Sequence, residues 1–316
     1  MRRTAPFRPL VVLLTLGLLV AACGDDDDTT TAASGDSTET TEATEGTEPT
    51  EDAGGESGEP GDGPNECVQE AGLTEEGQLT IGTDSPAFPP WFVDDDPTNG
   101  EGFESAVAYA VAEELGFSED QVEWTVVPFN NAFAPGPKDF DFVINQVSIT
   151  EERDQAIDFS EGYYDVNQAI VGFEDSAAAG ATTVEDLRGL KLGAQQGTTS
   201  LDFITEVIQP EQEPFVYNDN SAAKAALDAQ QVDAIVLDLP TAFYVSAVEI
   251  EGTAVIGQFP STGDSPEQFG MVFEDGNPLR DCVDEALASL EESGDLDAIE
   301  QEWLSDVVDA PVIEIG

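Results

Sequence analysis

Arg153 follows the run Ile144-Asn-Gln-Val-Ser-Ile-Thr-Glu-Glu in a chain that has almost no positive charge. Nine Lys and Arg stand against 67 Asp and Glu, and three of the nine, Arg2, Arg3 and Arg8, lie in the first ten residues. The six that remain are Lys138, Arg153, Arg188, Lys191, Lys224 and Arg280. The plain reading of Arg153 is a solvated surface residue. Its position argues otherwise, because Thr150-Glu-Glu reads as a helix start, where the helix dipole disfavours a cation. A guanidinium in so acidic a chain suits a definite task, and its planar fork of donors matches a carboxylate.

Other chemistry-bearing residues stand at the ends of predicted elements. Phe142-Val-Ile144 is a short buried strand, and Asn145, Gln146 and Ser148 collect at its C-terminal end. Ligands of open α/β sheets sit at that end of the strands. Val232-Asp-Ala-Ile-Val-Leu-Asp238 is a second strand, and its last aspartate either accepts a cation or caps the helix opening at Pro240. Leu192-Gly-Ala-Gln-Gln-Gly-Thr-Thr-Ser200 passes from strand through glycine into a helix start at Thr198–Thr199, whose free N–H groups can hold an anion. That loop lacks both the P-loop lysine and the G-x-G-x-x-G spacing of nucleotide sites. Asp84-Ser-Pro-Ala-Phe-Pro-Pro-Trp91 is a proline-stiffened loop able to present Asp84, Phe88 and Trp91 in fixed positions, although Trp91 could equally cap the core.

Composition removes several function classes. The formal charge of −58 opposes binding to nucleic acid or anionic lipid. With no histidine in the chain, histidine triads, histidine bases and the usual zinc sites are excluded. No cofactor or metal is expected.

The S-I-T-E-E-R…D-F-S-E-G-Y-Y block resembles the extracellular solute-binding proteins of polar amino acid ABC transporters, and the resemblance runs from about Gln78 to Leu304. It includes G-F-E-S at Gly102, V-E-D-L-R-G-L-K at Val184 and V-D-A-I-V-L-D at Val232. The resemblance implies an α/β, two-lobed periplasmic-binding-protein-like fold of type II, two α/β domains joined by a two-crossover hinge. It assigns the ligand carboxylate to Arg153 with Ser148, Thr198 and Thr199, and the ammonium to Asp238 with Gln146. It places Asp84, Phe88, Trp91, Phe129 and Asn145 around the ligand side chain. Asp84 as a pocket carboxylate ranks polar neutral and cationic amino acids above glutamate and aspartate. This chain departs from the family in Ala106, which replaces a second acidic residue, and in Pro135 and Pro137, which interrupt a helix.

The implied function is extracellular capture of a polar amino acid and delivery to an ABC transporter permease, by a monomer. Two alternatives share the fold: an exported cyclohexadienyl or arogenate dehydratase-like enzyme with Asp84 as its acid, and an amino acid sensor. Residues 1–22 read as a signal peptide, and Val20-Ala-Ala-Cys23 resembles a bacterial lipobox, which implies lipidation of Cys23 and anchoring at the extracellular face of the cell membrane. Residues 23–65 are too acidic and too poor in apolar groups to fold, and form a tether. With Cys23 lipidated, Cys67 and Cys282 are left to pair in an oxidising compartment. Residues 66–170 with 267–316 make the first lobe, and 171–266 the second.

Overall fold

The computed structural model describes residues 63–259, 261, 266–304 and 310–315. The signal peptide, Cys23 and the tether up to residue 62 lie outside the described residues. Of the strands, β1 is Leu79–Thr83, β2 Val122–Val126, β3 Phe142–Val143, β4 Asp158–Val166 and β5 Gln168–Phe173. The others are β6 Leu192–Gln195, β7 Phe215–Tyr217, β8 Ala234–Asp238, β9 Thr253–Phe259 and β10 Glu267–Phe273. They form two five-stranded sheets, ordered β2-β1-β3-β10-β4 and β7-β6-β8-β5-β9.

Both sheets follow one plan. β1 pairs in parallel with β2 and β3, while β10 runs antiparallel between β3 and β4. β6 likewise pairs in parallel with β7 and β8, while β5 runs antiparallel between β8 and β9. Chain crosses between the sheets from β4 to β5 and from β9 to β10, so the two-crossover, two-lobed α/β fold is present. The central parallel strands β1, β3, β6 and β8 are buried almost throughout because helices cover both faces, while the edge strands β2 and β7 are partly exposed. Under the first sheet, Phe103, Val107, Val111 and Leu115 meet Leu79, Ile81, Phe142 and Phe273, with Val283 and Leu287 alongside. In the second, Ile170, Val236 and Ala194 meet Ile204, Ile208 and Ile313 on one face. Val171, Ile235 and Leu237 meet Leu227 and Val245 on the other. Each fully buried Val, Leu, Ile or Phe among these contributes roughly 1.5–3 kcal/mol over its exposed state.

The expected division of the chain needs correction in two places. β5 begins at Gln168 and pairs along its length with β8 and β9, so the first crossing is at Asn167 and not after residue 170. The C-terminal residues, expected in the first lobe, join the second. Val312 bridges to Gln258 and Glu314 to Thr183, and Ile313 is fully buried in the second core. The preceding helix, Asp295–Leu304, packs on the first lobe against the helices Phe103–Glu114 and Leu279–Ser293. The chain therefore passes between lobes a third time.

Cys67, in the helix Glu66–Ala71, is bonded to Cys282 in the helix Leu279–Ser293, with Cα atoms 5.8 Å apart. Among the described residues no helix is long and apolar enough to cross a membrane.

Candidate functional site

Strand ends from both sheets, with the loops that follow them, line a cleft between the lobes. From the first lobe come Asp84, Phe88, Phe129, Asn145, Gln146, Ser148 and Arg153. From the second come Thr198, Thr199 and Asp238. Trp91 is the one expected site residue that does not line it. Its ring is fully buried among Phe103, Tyr164 and Phe269, and its Nε1–H donates to Thr241 Oγ1 of the second lobe at 2.8 Å. The aromatic wall is made instead of Phe88, Phe129 and Phe269.

Arg153 is buried, at 9% exposure, and two of the five N–H groups of its guanidinium are engaged by backbone carbonyls. Nη1 donates to Ser148 O at 2.6 Å, and Nη2 donates across the cleft to Gly197 O at 2.8 Å. The guanidinium stacks 4.5 Å from the Phe133 centroid, with Phe129 at 5.7 Å. The expected helix at Thr150 is only a single turn, Arg153–Gln155, because β4 begins three residues later at Asp158. The proline-broken stretch after Phe129 has a matching consequence. Its helix is one turn, Phe129–Ala132, and Phe133 follows it into contact with Arg153. Gly197 has φ +74, and any β-carbon there would collide with Asn130 of the first lobe. Glycine thus permits the close approach that brings Gly197 O to Arg153.

At the other end, Asp238 closes β8. Its Oδ1 accepts the Thr241 N–H at 3.0 Å, capping the helix Leu239–Tyr244, and the residue also faces the cavity. Burial pushes its carboxyl up to about 6, with the neighbouring Glu267 carboxylate adding to the rise. Gln146 sits at φ +48, a costly conformation for a residue with a side chain. Glu104 compensates. Its fully buried carboxyl accepts the Gln146 backbone N–H at 2.6 Å, the Gln146 side-chain amide and the Tyr163 hydroxyl. Burial pushes Glu104 up to about 7, opposed by those hydrogen bonds.

The remaining predicted residues are placed as follows. The Asp84 oxygens accept the Ser85 N–H at 2.7 Å and the Phe129 N–H at 3.2 Å, so this carboxylate braces its own loop while lining the cavity. Phe88 has the Lys224 ammonium 4.1 Å from its centroid, another contact between lobes. Asn145 is 7% exposed and its Nδ2 has no partner among the described residues, although it lines the cavity. Thr198 caps the helix Thr199–Asp202 by accepting the Leu201 N–H.

Sequence reasoning missed Glu104, Phe133, Gln168, Glu267 and Phe269. Glu104 carried a signal, an acid in the first turn of an otherwise apolar helix. Glu267 carried none, since it is one acid among many beside a crossover. No cluster of metal-ligating groups occurs among the described residues.

A cation on one lobe, a carboxylate on the other and a cavity that both line define a two-lobed ligand-binding protein. The chain belongs to the bacterial extracellular solute-binding proteins, family 3, whose sequence model matches residues 79–306. The L-cystine-binding protein TcyJ of Escherichia coli K12 is 29% identical over 239 residues, covering 73% of this chain and 84% of that protein. The arginine-binding extracellular protein ArtP of Bacillus subtilis is 26% identical over 253 residues, covering 76% and 91%. An ancestral arginine-binding protein bound to arginine superposes with a TM-score of 0.61 at 31% identity, over 72% of this chain and 98% of that one. The ancestral amino acid-binding protein AncCDT-1, a precursor of cyclohexadienyl dehydratase, superposes with a TM-score of 0.60 at 29% identity, over 72% and 95%.

Proposed function

We propose that this protein captures a free polar amino acid outside the cell and hands it to an ABC transporter permease, acting as a monomeric lipoprotein held at the membrane through Cys23. The observation that carries the reading is the placement of Arg153 and Asp238, from different lobes, on one cavity. An α-amino acid offers a carboxylate to the first and an ammonium to the second, and pairing both at once favours closure of the lobes on it. The N–H groups at Thr198–Thr199 support the carboxylate, and the Gln146 amide oxygen supports the ammonium. Phe88, Phe129, Asn145 and Asp84 are left for the side chain, which keeps polar neutral and cationic amino acids ahead of glutamate and aspartate.

Catalysis is not part of this reading. An elimination needs a proton donor at the substrate; Glu104 is enclosed by Gln146 and Tyr163, and Asp238, the raised carboxyl facing the cavity, is assigned here to the ligand ammonium. A thermal-shift screen of the twenty amino acids tests the proposal, on protein recovered from the membrane fraction of its producing cells. Recovery from the medium instead would remove the anchor. A polar neutral or cationic amino acid is expected to stabilise most, and a largest shift with glutamate or aspartate would overturn the ranking. Stabilisation by none of them, together with aromatic product from prephenate or arogenate, would replace the binder with the enzyme.

The raised Asp238 carboxyl sets the pH dependence of binding. An ammonium pairs with the ionised form, so below about 6 the ligand must first displace a proton. Affinity is expected to be level above pH 7 and to fall by about tenfold per unit below pH 6. Calorimetric titrations at pH 5 and pH 7.5, in two buffers of different ionisation enthalpy, read both the affinity and the proton released. Equal affinities with no proton release would mean that Asp238 is not the ammonium's partner.

A further inference from the structure

Glu267, the first residue of β10, stands where the second crossover enters the first lobe. Its Oε1 accepts the Ser148 hydroxyl of the first lobe at 2.7 Å and the Thr199 hydroxyl of the second lobe at 2.7 Å. Gln168 Nε2, on β5, lies 3.2 Å from each of its oxygens. The Gln168 amide cannot turn away freely, because its own Oε1 accepts the Ser200 hydroxyl at 2.6 Å. Ser148 and Thr199 are themselves only 3.2 Å apart across the cleft. A solvated glutamate would not gather donors from three separate segments in this way. A hydroxyl carries a single proton. Glu267 Oε1 is the nearest acceptor to both hydroxyls, and a proton given to it is not available to a ligand.

We propose that Glu267 is a specificity-determining clasp: its carboxylate, and not that of a bound amino acid, takes the Ser148 and Thr199 hydroxyls and ties the two lobes together, leaving Arg153 as the ligand's anion partner. The tie is a property of the chain itself, while its effect on the ligand rests on the amino acid reading above. The Thr199 hydroxyl, unlike its backbone N–H, then acts on the ligand through Glu267, and the side chain is a positioning group. A further carboxylate on the ligand at this end meets a like charge that already holds the local donors.

The test is a double-mutant cycle on the full disulfide-bonded chain, using T199V, E267A and the pair, titrated with L-arginine and with L-glutamine. T199V is expected to weaken binding by about tenfold in the native background and by less than about twofold beside E267A. Equal losses in both backgrounds would show that Thr199 serves the ligand directly, and would overturn the proposal. A second measurement needs no ligand: spin labels at exposed Asp120 and Asp228, one on each lobe, report inter-lobe distances by pulsed electron resonance. E267A is expected to lengthen them, and an unchanged distribution in a folded variant also overturns the clasp. If E267A does not fold, E267Q keeps the size and one acceptor oxygen, and a smaller lengthening is expected. If no amino acid binds the native chain, the proposed function fails while the distances still decide the clasp.

Discussion

Replacing Arg153 with alanine is expected to raise the dissociation constant for the bound amino acid by on the order of a hundredfold or more. Removing one partner of a desolvated ion pair costs roughly 3–5 kcal/mol, since the other charge is left unpaired. Two features of the structure push the effect upward. The side chain also donates to Gly197 O across the cleft, so its loss removes a contact that holds the lobes together. It also stacks on Phe133, and that ring loses its cover. The Arg153→Lys variant separates charge from geometry, because an ammonium cannot present a planar fork or stack in the same way. Calorimetry on both variants, beside their ligand-free melting temperatures, distinguishes lost recognition from lost folding. A Kd within about threefold of the native value in Arg153→Ala would take this residue out of the site.

The second large effect is on stability. Cys67 and Cys282 are 215 residues apart in sequence, so their bond closes almost the whole folded unit into one loop. Closing a loop of that length stabilises by about 5 kcal/mol in the chain-entropy model. The Cys67→Ser, Cys282→Ser double variant is expected to melt about 10–20 °C lower, at roughly 2–4 °C per kcal/mol for a domain of this size. The helix Glu66–Ala71 should loosen first, as its only fully buried side chain is Val68. A shift of less than about 3 °C would mean that the loop is already constrained in the unfolded chain. Two free thiols in the non-reduced native protein would remove the bond altogether.

The parts of the molecule legible in its sequence are those governed by local pattern. The apolar spacing of Phe103, Val107, Val111 and Leu115 shows a helix lying on a sheet, and the structure has that helix at Phe103–Glu114. Asp238 could be found because a strand ending in aspartate before proline is a local signal, and Arg153 because cations are rare here. Trp91 was misread for a physical reason. Proline-rich loops present side chains to either side, and only the tertiary packing of Phe103, Tyr164 and Phe269 turns this ring inward. Glu267 and Gln168 were out of reach because their roles depend on Ser148 and Thr199, which are far away in sequence and belong to opposite lobes. The same limit hid the C-terminal residues, whose bridges to Gln258 and Thr183 involve no recognisable pattern.

Those C-terminal residues also act as a leash. Leu304 ends a helix fixed to the first lobe, and Ala310 accepts the Gln258 side-chain amide at 3.0 Å on the second. Six Cα-to-Cα steps join them, and a fully extended chain covers at most about 3.6 Å per residue. However the lobes part, those two points cannot move further apart than roughly 22 Å while Ile313 stays seated in its core. Two crossovers join the lobes, and this third covalent link limits how far they can part. Opening wide enough to shed cargo is therefore bounded by covalent chain length, and anything that pulls Ile313 from its seat lengthens the reach.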